Sequence, residues 1–326
     1  MTDLAVVGDI GGTNARFALV RPGDGRPEIE ACRSYLCRDY ASPEAALDNY
    51  LQAHSAHGRP SAVVLAVAGP VIDGAARFTN STWTVSEAGL RAAGFAWATL
   101  INDFEALAMA VPWLGPDDSV ALGPPGRPAR GRTLAVLGPG TGFGAAAFCQ
   151  DADGAAVLTG EGGHIGFAPR DETEVQVWRI LARRFGRVSV ERILCGAGLI
   201  NLHQALCEIH GVAVTLDEAA DVTARARAGD PVAAETVRRF CTILGAVCGD
   251  FALAYGAVGG VYLAGGIAPR MMAELSDGGF RAAFEDKGRY AGYLAAIPTR
   301  VIVHPYLALL GAARALAPGR DVGRQA

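Results

Sequence analysis

The segment Leu4–Val20, L-A-V-V-G-D-I-G-G-T-N-A-R-F-A-L-V, constrains this chain more than any other. The apolar run Leu4–Val7 reads as a buried strand, and Arg16–Val20 reads as its hairpin partner. Between them, Gly11, Gly12 and Thr13, followed by Asn14, make a turn with almost no side-chain bulk. Backbone N–H groups in such a turn can approach an anion closely, as a nest of amides does with phosphate. Asp9 sits at the strand end, where a carboxylate can hold Mg2+ through phosphate or water. A plain β-hairpin closed by a Gly-Gly turn accounts for the same residues.

A partial echo follows some 130 positions later. Leu134–Phe148, L-A-V-L-G-P-G-T-G-F-G-A-A-A-F, again runs apolar strand, glycine-rich turn at Gly140, Thr141 and Gly142, and small apolar strand. Two such hairpins facing each other across a cleft can hold the phosphates of one nucleotide. In this layout the chain resembles the actin-like ATPase and sugar-kinase domains. The second turn reads as two residues shorter and offers no counterpart of Asp9, so the expectation is a structural repeat rather than a sequence repeat.

A chain of 326 residues is long for one core, and 51% hydrophobic residues suit a well-filled α/β protein of two domains. A net charge of −4 without a basic run argues against nucleic-acid binding. Seven cysteines with no C-x-x-C pair point to free thiols in a reducing compartment. No apolar run reaches membrane-spanning length, and the strand at the N-terminus leaves no room for a signal peptide. The expectation is a soluble cytoplasmic protein without membrane partners.

Local signals order the rest. Pro43–His54 reads as a helix capped by Ser42, and Ser61–Ala68 as a strand covered on both faces. Ser86 opens a short helix, and Ala98–Ile101 is a buried strand running into Asn102-Asp103 and a helix. Gly115–Gly131, with Pro116, Pro124, Pro125 and Pro128, reads as a connector. Helices are expected over Glu174–Phe185, Gly198–His210, Leu216–Ala228 and Pro231–Tyr255. A strand ending in Gly265-Gly266, the strand Arg300–His304 and a last helix, Leu307–Ala317, complete the chain.

Three constellations carry chemistry. Asp103 stands at the end of a buried strand, where open α/β sheets place their ligands, and can accept a proton from an attacking hydroxyl. Capping of the following helix is the plainer alternative. Glu161-Gly-Gly-His164 joins a carboxylate and an imidazole through a tight turn, which suits a polyol. A surface turn is the alternative there, and zinc lacks a third ligand. Gly265-Gly266 permits a flat ligand against the backbone, or is simply a strand-to-helix turn. Glu191 alone reads as a solvated helix residue. No Walker A pattern exists, and the run Gly138–Gly144 fails the dinucleotide fingerprint in detail, leaving a dehydrogenase as a weak alternative.

Taken in order, G-D-I-G-G-T-N-A-R, T-N-S-T-W, I-N-D-F, G-P-G-T-G-F-G, E-G-G-H-I-G-F-A-P, R-V-S-V-E-R, C-G-A-G-L-I-N-L and V-Y-L-A-G-G-I-A-P-R resemble the bacterial glucokinase family over nearly the whole chain. The resemblance implies a two-domain actin-like ATPase (ribonuclease H-like) α/β fold with a cleft between the domains. Residues 1–111 would form the small domain, joined by the C-terminal helix 304–320, and residues 112–303 the large one. It further implies that Asn102, Asp103, Glu161, His164 and Glu191 contact glucose, with Asp103 as base. Asp9, Gly11, Gly12, Thr13, Asn14, Gly140, Thr141 and Gly142 would serve the phosphates of ATP with Mg2+, and Gly265 and Gly266 the adenosine. A homodimer is expected on the same ground. The chain departs from the family's usual residues at Gly166 and Cys195. Repressors and zinc-containing sugar kinases are a poorer match, since Asp171–Val177 holds no cysteine. A non-catalytic sugar sensor would not need Asp103, and ADP or polyphosphate remain alternative donors.

Overall fold

The computed structural model describes every residue except 1–3, 22, 24, 79–82, 125–131, 152–153 and 317–326. The chain divides into two compact units, residues 1–115 with 304–326, and residues 116–303. In the first, β1 (Ala5–Ile10) and β2 (Asn14–Val20) form the expected hairpin, longer than their apolar residues alone suggest. β3 (Ile29–Leu36) extends it. α1 (Pro43–Ala53) starts on its proline, with Ser42 Oγ accepting the Ala45 N–H at 3.2 Å. β4 (Ala62–Val67) lies between β1 and a later strand, and its nearly complete burial matches its continuously apolar sequence. β5 (Val71–Ile72), β6 (Ala75–Arg77) and β7 (Thr84–Ser86) make a small separate sheet. The T-N-S-T of the T-N-S-T-W motif, residues 79–82, lies outside the described residues. α2 (Glu87–Ala92), capped by Ser86, leads to β8 (Trp97–Asn102), and α3 (Asp103–Ala110) follows without a linker.

The second unit corrects one expectation at its start. β9 (Ser119–Leu122) is a strand, paired antiparallel with residues 299–302, where a bare connector was expected. Four residues between prolines and glycines are too few to show a period in the sequence. β10 (Leu134–Pro139), β11 (Phe143–Asp151) and β12 (Gly154–Gly160) form an antiparallel meander. Helices α4 (Glu172–Phe185), α5 (Gly196–His210), α6 (Ala219–Arg227) and α7 (Pro231–Tyr255) follow. β13 (Gly260–Leu263), α8 (Met272–Leu275), α9 (Gly279–Glu285), α10 (Ala291–Ala295) and β14 (Thr299–Ile302) complete it. α6 begins three residues later than Leu216, because Glu218 occupies the cap position.

The sheet orders are β3-β2-β1-β4-β8 and β12-β11-β10-β13-β14-β9. Apart from the edge strand β9, each sheet sets its third, second, first, fourth and fifth strands side by side. The expected structural repeat is therefore present. Its two turns differ by one residue and not two: residues 11–14 separate Ile10 from Ala15, and residues 140–142 separate Pro139 from Phe143.

α11 (Leu307–Arg314) returns to the first unit, where Gly311 meets the Ala106 backbone of α3 too closely for any Cβ. Arg314 donates to Met109 O at 3.0 Å and lies over the Trp113 ring. Separate cores result: Phe17, Tyr50, Leu65 and Leu90 in the first unit, and Leu202, Leu206, Phe240, Leu244, Phe280 and Phe284 in the second. Among the described residues, no helix is long and apolar enough to cross a membrane.

One buried polar group sits between α5 and α7. His203, 3% exposed, has Nδ1 3.1 Å from Thr236 Oγ1 and Nε2 3.5 Å from Cys207 Sγ. Thr236 already donates to Val232 O at 2.7 Å, so its oxygen accepts from Nδ1–H, and Nε2 takes the thiol proton. Burial lowers the His203 pKa below the ordinary histidine value, with Asp230 opposing. The unfolded chain then binds more protons than the folded one in mildly acidic solution. His203 contributes its stability above about pH 6.5, the unfolded value, and that contribution is lost as pH falls toward the folded pKa, by at most about 1.4 kcal/mol per pH unit. His203→Gln, which cannot titrate, is expected to flatten the dependence of Tm on pH between 7 and 5.5. Parallel pH profiles for parent and variant would exclude His203 as its source.

Candidate active site

In the first unit the site follows from parallel pairing. Ile10 pairs with Val67 and Val67 with Asn102, so β1, β4 and β8 end on one sheet edge. The Gly11–Thr13 turn and Asp103 thus stand two strands apart on that edge, about 10 Å by strand spacing. Asn102, rather than Asp103, does the capping. Its Oδ1 accepts from Phe104 N at 2.9 Å and Glu105 N at 3.3 Å, while Nδ2 donates to Gly69 O at 3.1 Å. Asp103 is the first helical residue, half-buried, with Oδ1 2.9 Å from the Phe104 N–H. Asp9 pairs with Arg16 across the hairpin, Nη1 to Oδ2 2.9 Å. Burial raises the Asp9 pKa, and the guanidinium opposes that. Gly11 N donates to Asn14 O at 2.9 Å, closing the turn. Cys37, from the end of β3, holds it: its N–H reaches Thr13 O at 2.9 Å and its Sγ reaches Gly11 O at 3.4 Å.

In the second unit the turn Gly140–Gly142 closes the same way, with Gly140 N donating to Gly142 O at 2.8 Å. Glu191 is not a solvated helix residue. It lies half-buried on a one-turn 3-10 helix, Val190–Arg192, and its Oε2 accepts the Phe143 N–H at 2.8 Å. A Cβ at Gly142 would lie 2.5 Å from that oxygen, so a side chain there would require the carboxylate end to shift. The Glu161–His164 turn is a short 3-10 turn pressed against β11. A Cβ at Gly162 would lie 2.7 Å from Phe251 and 2.8 Å from Ala145, and one at Gly163 would run into Phe143 O. Glu161 and His164 flank this turn and are exposed. Strand-like pairing of Gly166 with Ser189, and the Val190 N–H to Ile165 O at 3.0 Å, bring the segments of His164 and Glu191 together. Arg187 donates to His164 O at 2.6 Å.

Gly265 has φ +86°, left-handed backbone that favours glycine, and a Cβ there would meet Pro139 O at 2.7 Å. The exposed Gly265-Gly266 pair therefore adjoins the Gly140 turn, an open backbone surface for a flat ligand. Among the described residues, no group of three His, Cys, Asp or Glu side chains suits a metal ion. A single carboxylate, Asp9, beside a glycine turn nevertheless suits the chemistry of Mg2+, which keeps several waters and takes one or two carboxylates plus substrate phosphates. Cys37, Arg16, Phe143 and Arg187 are parts of these arrangements that motif reading missed. Only Arg16, placed opposite Asp9 in a hairpin, carries a sequence signal.

The family model for glucokinase matches residues 6–318. A glucokinase of Caulobacter sp. (strain K31) is 51% identical over 316 residues, 97% of this chain and 95% of that one. A glucokinase of Hahella chejuensis is 45% identical over 314 residues, 96% of each chain. The crystal structure of a glucokinase from an Antarctic psychrotroph superimposes with a TM-score of 0.88 at 36% identity, covering 97% of this chain and 99% of that chain. The repeated sheet and these likenesses define a sugar kinase of the actin-like ATPase fold. More narrowly, the chain belongs to the glucokinase family.

The contact between Glu191 and the glycine turn can be checked without any substrate. Gly142→Ala puts a methyl group 2.5 Å from Glu191 Oε2, so the carboxylate must shift, and its bond to the Phe143 N–H is expected to break. Exchange of the Phe143 amide is expected to quicken about tenfold, the value of one such hydrogen bond. Unchanged exchange would show that the carboxylate stays in place.

Proposed function

We propose that this chain transfers the γ-phosphoryl group of ATP to the C6 hydroxyl of glucose, giving glucose 6-phosphate and ADP. Membership of the glucokinase family supports the reaction. The observation that carries the residue assignment is the Glu191–Phe143 hydrogen bond, which joins a sugar-type acceptor to a phosphate-type turn. Asp103 accepts the C6 hydroxyl proton as the oxygen bonds to the γ-phosphorus and the bridging β–γ P–O bond breaks. With Asn102 committed to the helix cap, Asp103 carries the chemistry on that edge. Asn102 keeps a second amide proton for a sugar hydroxyl. Glu161, His164 and Glu191 supply acceptors and a donor to the ring hydroxyls.

The first glycine amide of each turn is consumed in closing it, so anion contacts fall to the amides of Gly12 and Thr13, and of Thr141 and Gly142. Asn14 closes the first turn, Gly140 opens the second, and Gly265-Gly266 takes the adenosine. Asp9 would hold Mg2+ through phosphate or water, and the ion would neutralise charge on the phosphates. We also propose a cytoplasmic homodimer; the seven free thiols fit a reducing compartment, and light scattering tests the assembly.

A coupled assay crossing several hexoses with ATP, ADP and polyphosphate tests the reaction, and glucose with ATP is expected to give the highest kcat/KM. Turnover with every donor except ATP, or none with glucose, would reject it. Asp103→Asn should lower kcat by about 10²–10⁴ with a smaller change in glucose KM. A near-parental kcat would return Asp103 to a structural role. Glu161→Gln and Glu191→Gln should both raise the KM for glucose while leaving ATP affinity close to the parent. Glu191→Gln should have the larger effect: its new amide can satisfy Phe143 N–H only by turning its NH₂ toward the sugar, a donor where an acceptor stood. Paired titrations of both ligands decide this, and parental glucose binding in both variants would remove the sugar site.

A further inference from the structure

Cys195 is the residue immediately before α5, with φ −156° and ψ −177°, the extended backbone of a helix cap. Its Sγ accepts the Gly198 N–H at 3.2 Å and donates to Glu191 O at 3.1 Å. The next residue, Gly196, donates its N–H to Gly140 O at 3.0 Å. From the other side, Glu191 Oε2 takes the Phe143 N–H at 2.8 Å, just beyond the same turn. These bonds form a closed circuit through the start of α5, the Val190–Arg192 turn and the Gly140–Gly142 turn.

We propose that Cys195 is a positioning residue for the kinase reaction, holding the Glu191 carboxylate and the Gly140–Gly142 turn in one register. It rests on the reading of Glu191 as a sugar ligand and of that turn as a phosphate ligand. One sulfur fixes the Glu191 backbone while its own helix start fixes Gly140, so displacing it moves both ends of the circuit. The role requires a protonated thiol, because Sγ donates to a carbonyl. Burial, at 5% exposure, raises the Cys195 pKa, and Glu191 adds to this against the Gly198 N–H. The thiol is therefore a poor nucleophile, and its contribution is geometric rather than covalent.

Two substitutions separate hydrogen bonding from packing. Cys195→Ala removes both bonds with little loss of volume, and Cys195→Ser keeps one donor and one acceptor. Cys248→Ala, at a buried thiol of α7, controls for the loss of any core sulfur. Tm, kcat and the KM values for glucose and ATP are measured, together with exchange of the Phe143 amide. Cys195→Ala is expected to raise both KM values about 5–10-fold and to quicken Phe143 exchange about tenfold. Cys195→Ser should stay within about twofold of the parent, and Cys248→Ala should lower Tm alone. A Cys195→Ala protein with lowered Tm but parental KM values and exchange is merely missing a helix cap, and overturns the proposal. If the alanine variant does not fold, the serine variant decides: parental KM values support the proposal, and raised ones at parental Tm overturn it. A parent that does not phosphorylate glucose defeats the functional reading separately, while the exchange comparison still tests the register.

Discussion

Gly138, Gly163 and Gly265 each stand too close to other backbone to carry a Cβ, and the packing around the Gly140–Gly142 turn depends on this. A Cβ on Gly138 would run into Ala264, one on Gly265 would lie 2.7 Å from Pro139 O, and one on Gly163 would run into Phe143 O. Gly138, inside β10, costs roughly 0.5–1 kcal/mol in backbone freedom relative to alanine, whereas Gly265 at φ +86° has a backbone that favours glycine. In return, the Gly140–Gly142 turn, the Gly265-Gly266 surface and the Glu161–His164 turn are set against one another by main chain. Precision of this kind is what phosphoryl transfer needs, because the protein contributes mainly position and charge.

The first unit reaches comparable definition by a different route. There the polar side chains are fixed by hydrogen bonds: Asn102 to the start of α3 and to Gly69, Arg16 to Asp9, and Cys37 to both ends of the turn. A half-buried carboxylate such as Asp9 would favour protonation without a partner, and Arg16 supplies the opposing charge from the facing strand. The pair lies at the strand end, beside the Gly11–Thr13 turn. Steric exclusion in one unit and charge pairing in the other thus solve the same positioning problem.

Much of this was legible in the sequence where the signal is local. Ser42 before Pro43, Ser86 before α2, and the apolar run of β4 each express their structure within a few residues. The glycine turns and the strand end at Asp103 were equally readable. What was not legible depends on long-range packing. Glu191 looks like any charged residue near a helix, and its role appears only because the fold carries it to Phe143, 48 positions away. Cys195 gave no signal of its role, since a capping thiol looks like any core cysteine. β9 is defined by its partner β14, far along the chain, and four residues carry no period of their own.

The absence of an Asp9 counterpart in the second hairpin also has a steric explanation. Asp9 lies one residue before the end of β1, and the same offset from the end of β10 is Gly138. In the first unit that position faces open space enough for a carboxylate and its arginine. In the second, the Ala264 backbone occupies the volume, because β13 must come close enough to seat Gly265 on Pro139. No side chain of any kind fits there. Of these two paired positions, Asp9 therefore carries the carboxylate and Gly138 can carry no side chain. β4 lies beside β1 as β13 lies beside β10, so the asymmetry that weakened the sequence repeat lies in how closely the Ala264 backbone approaches Gly138.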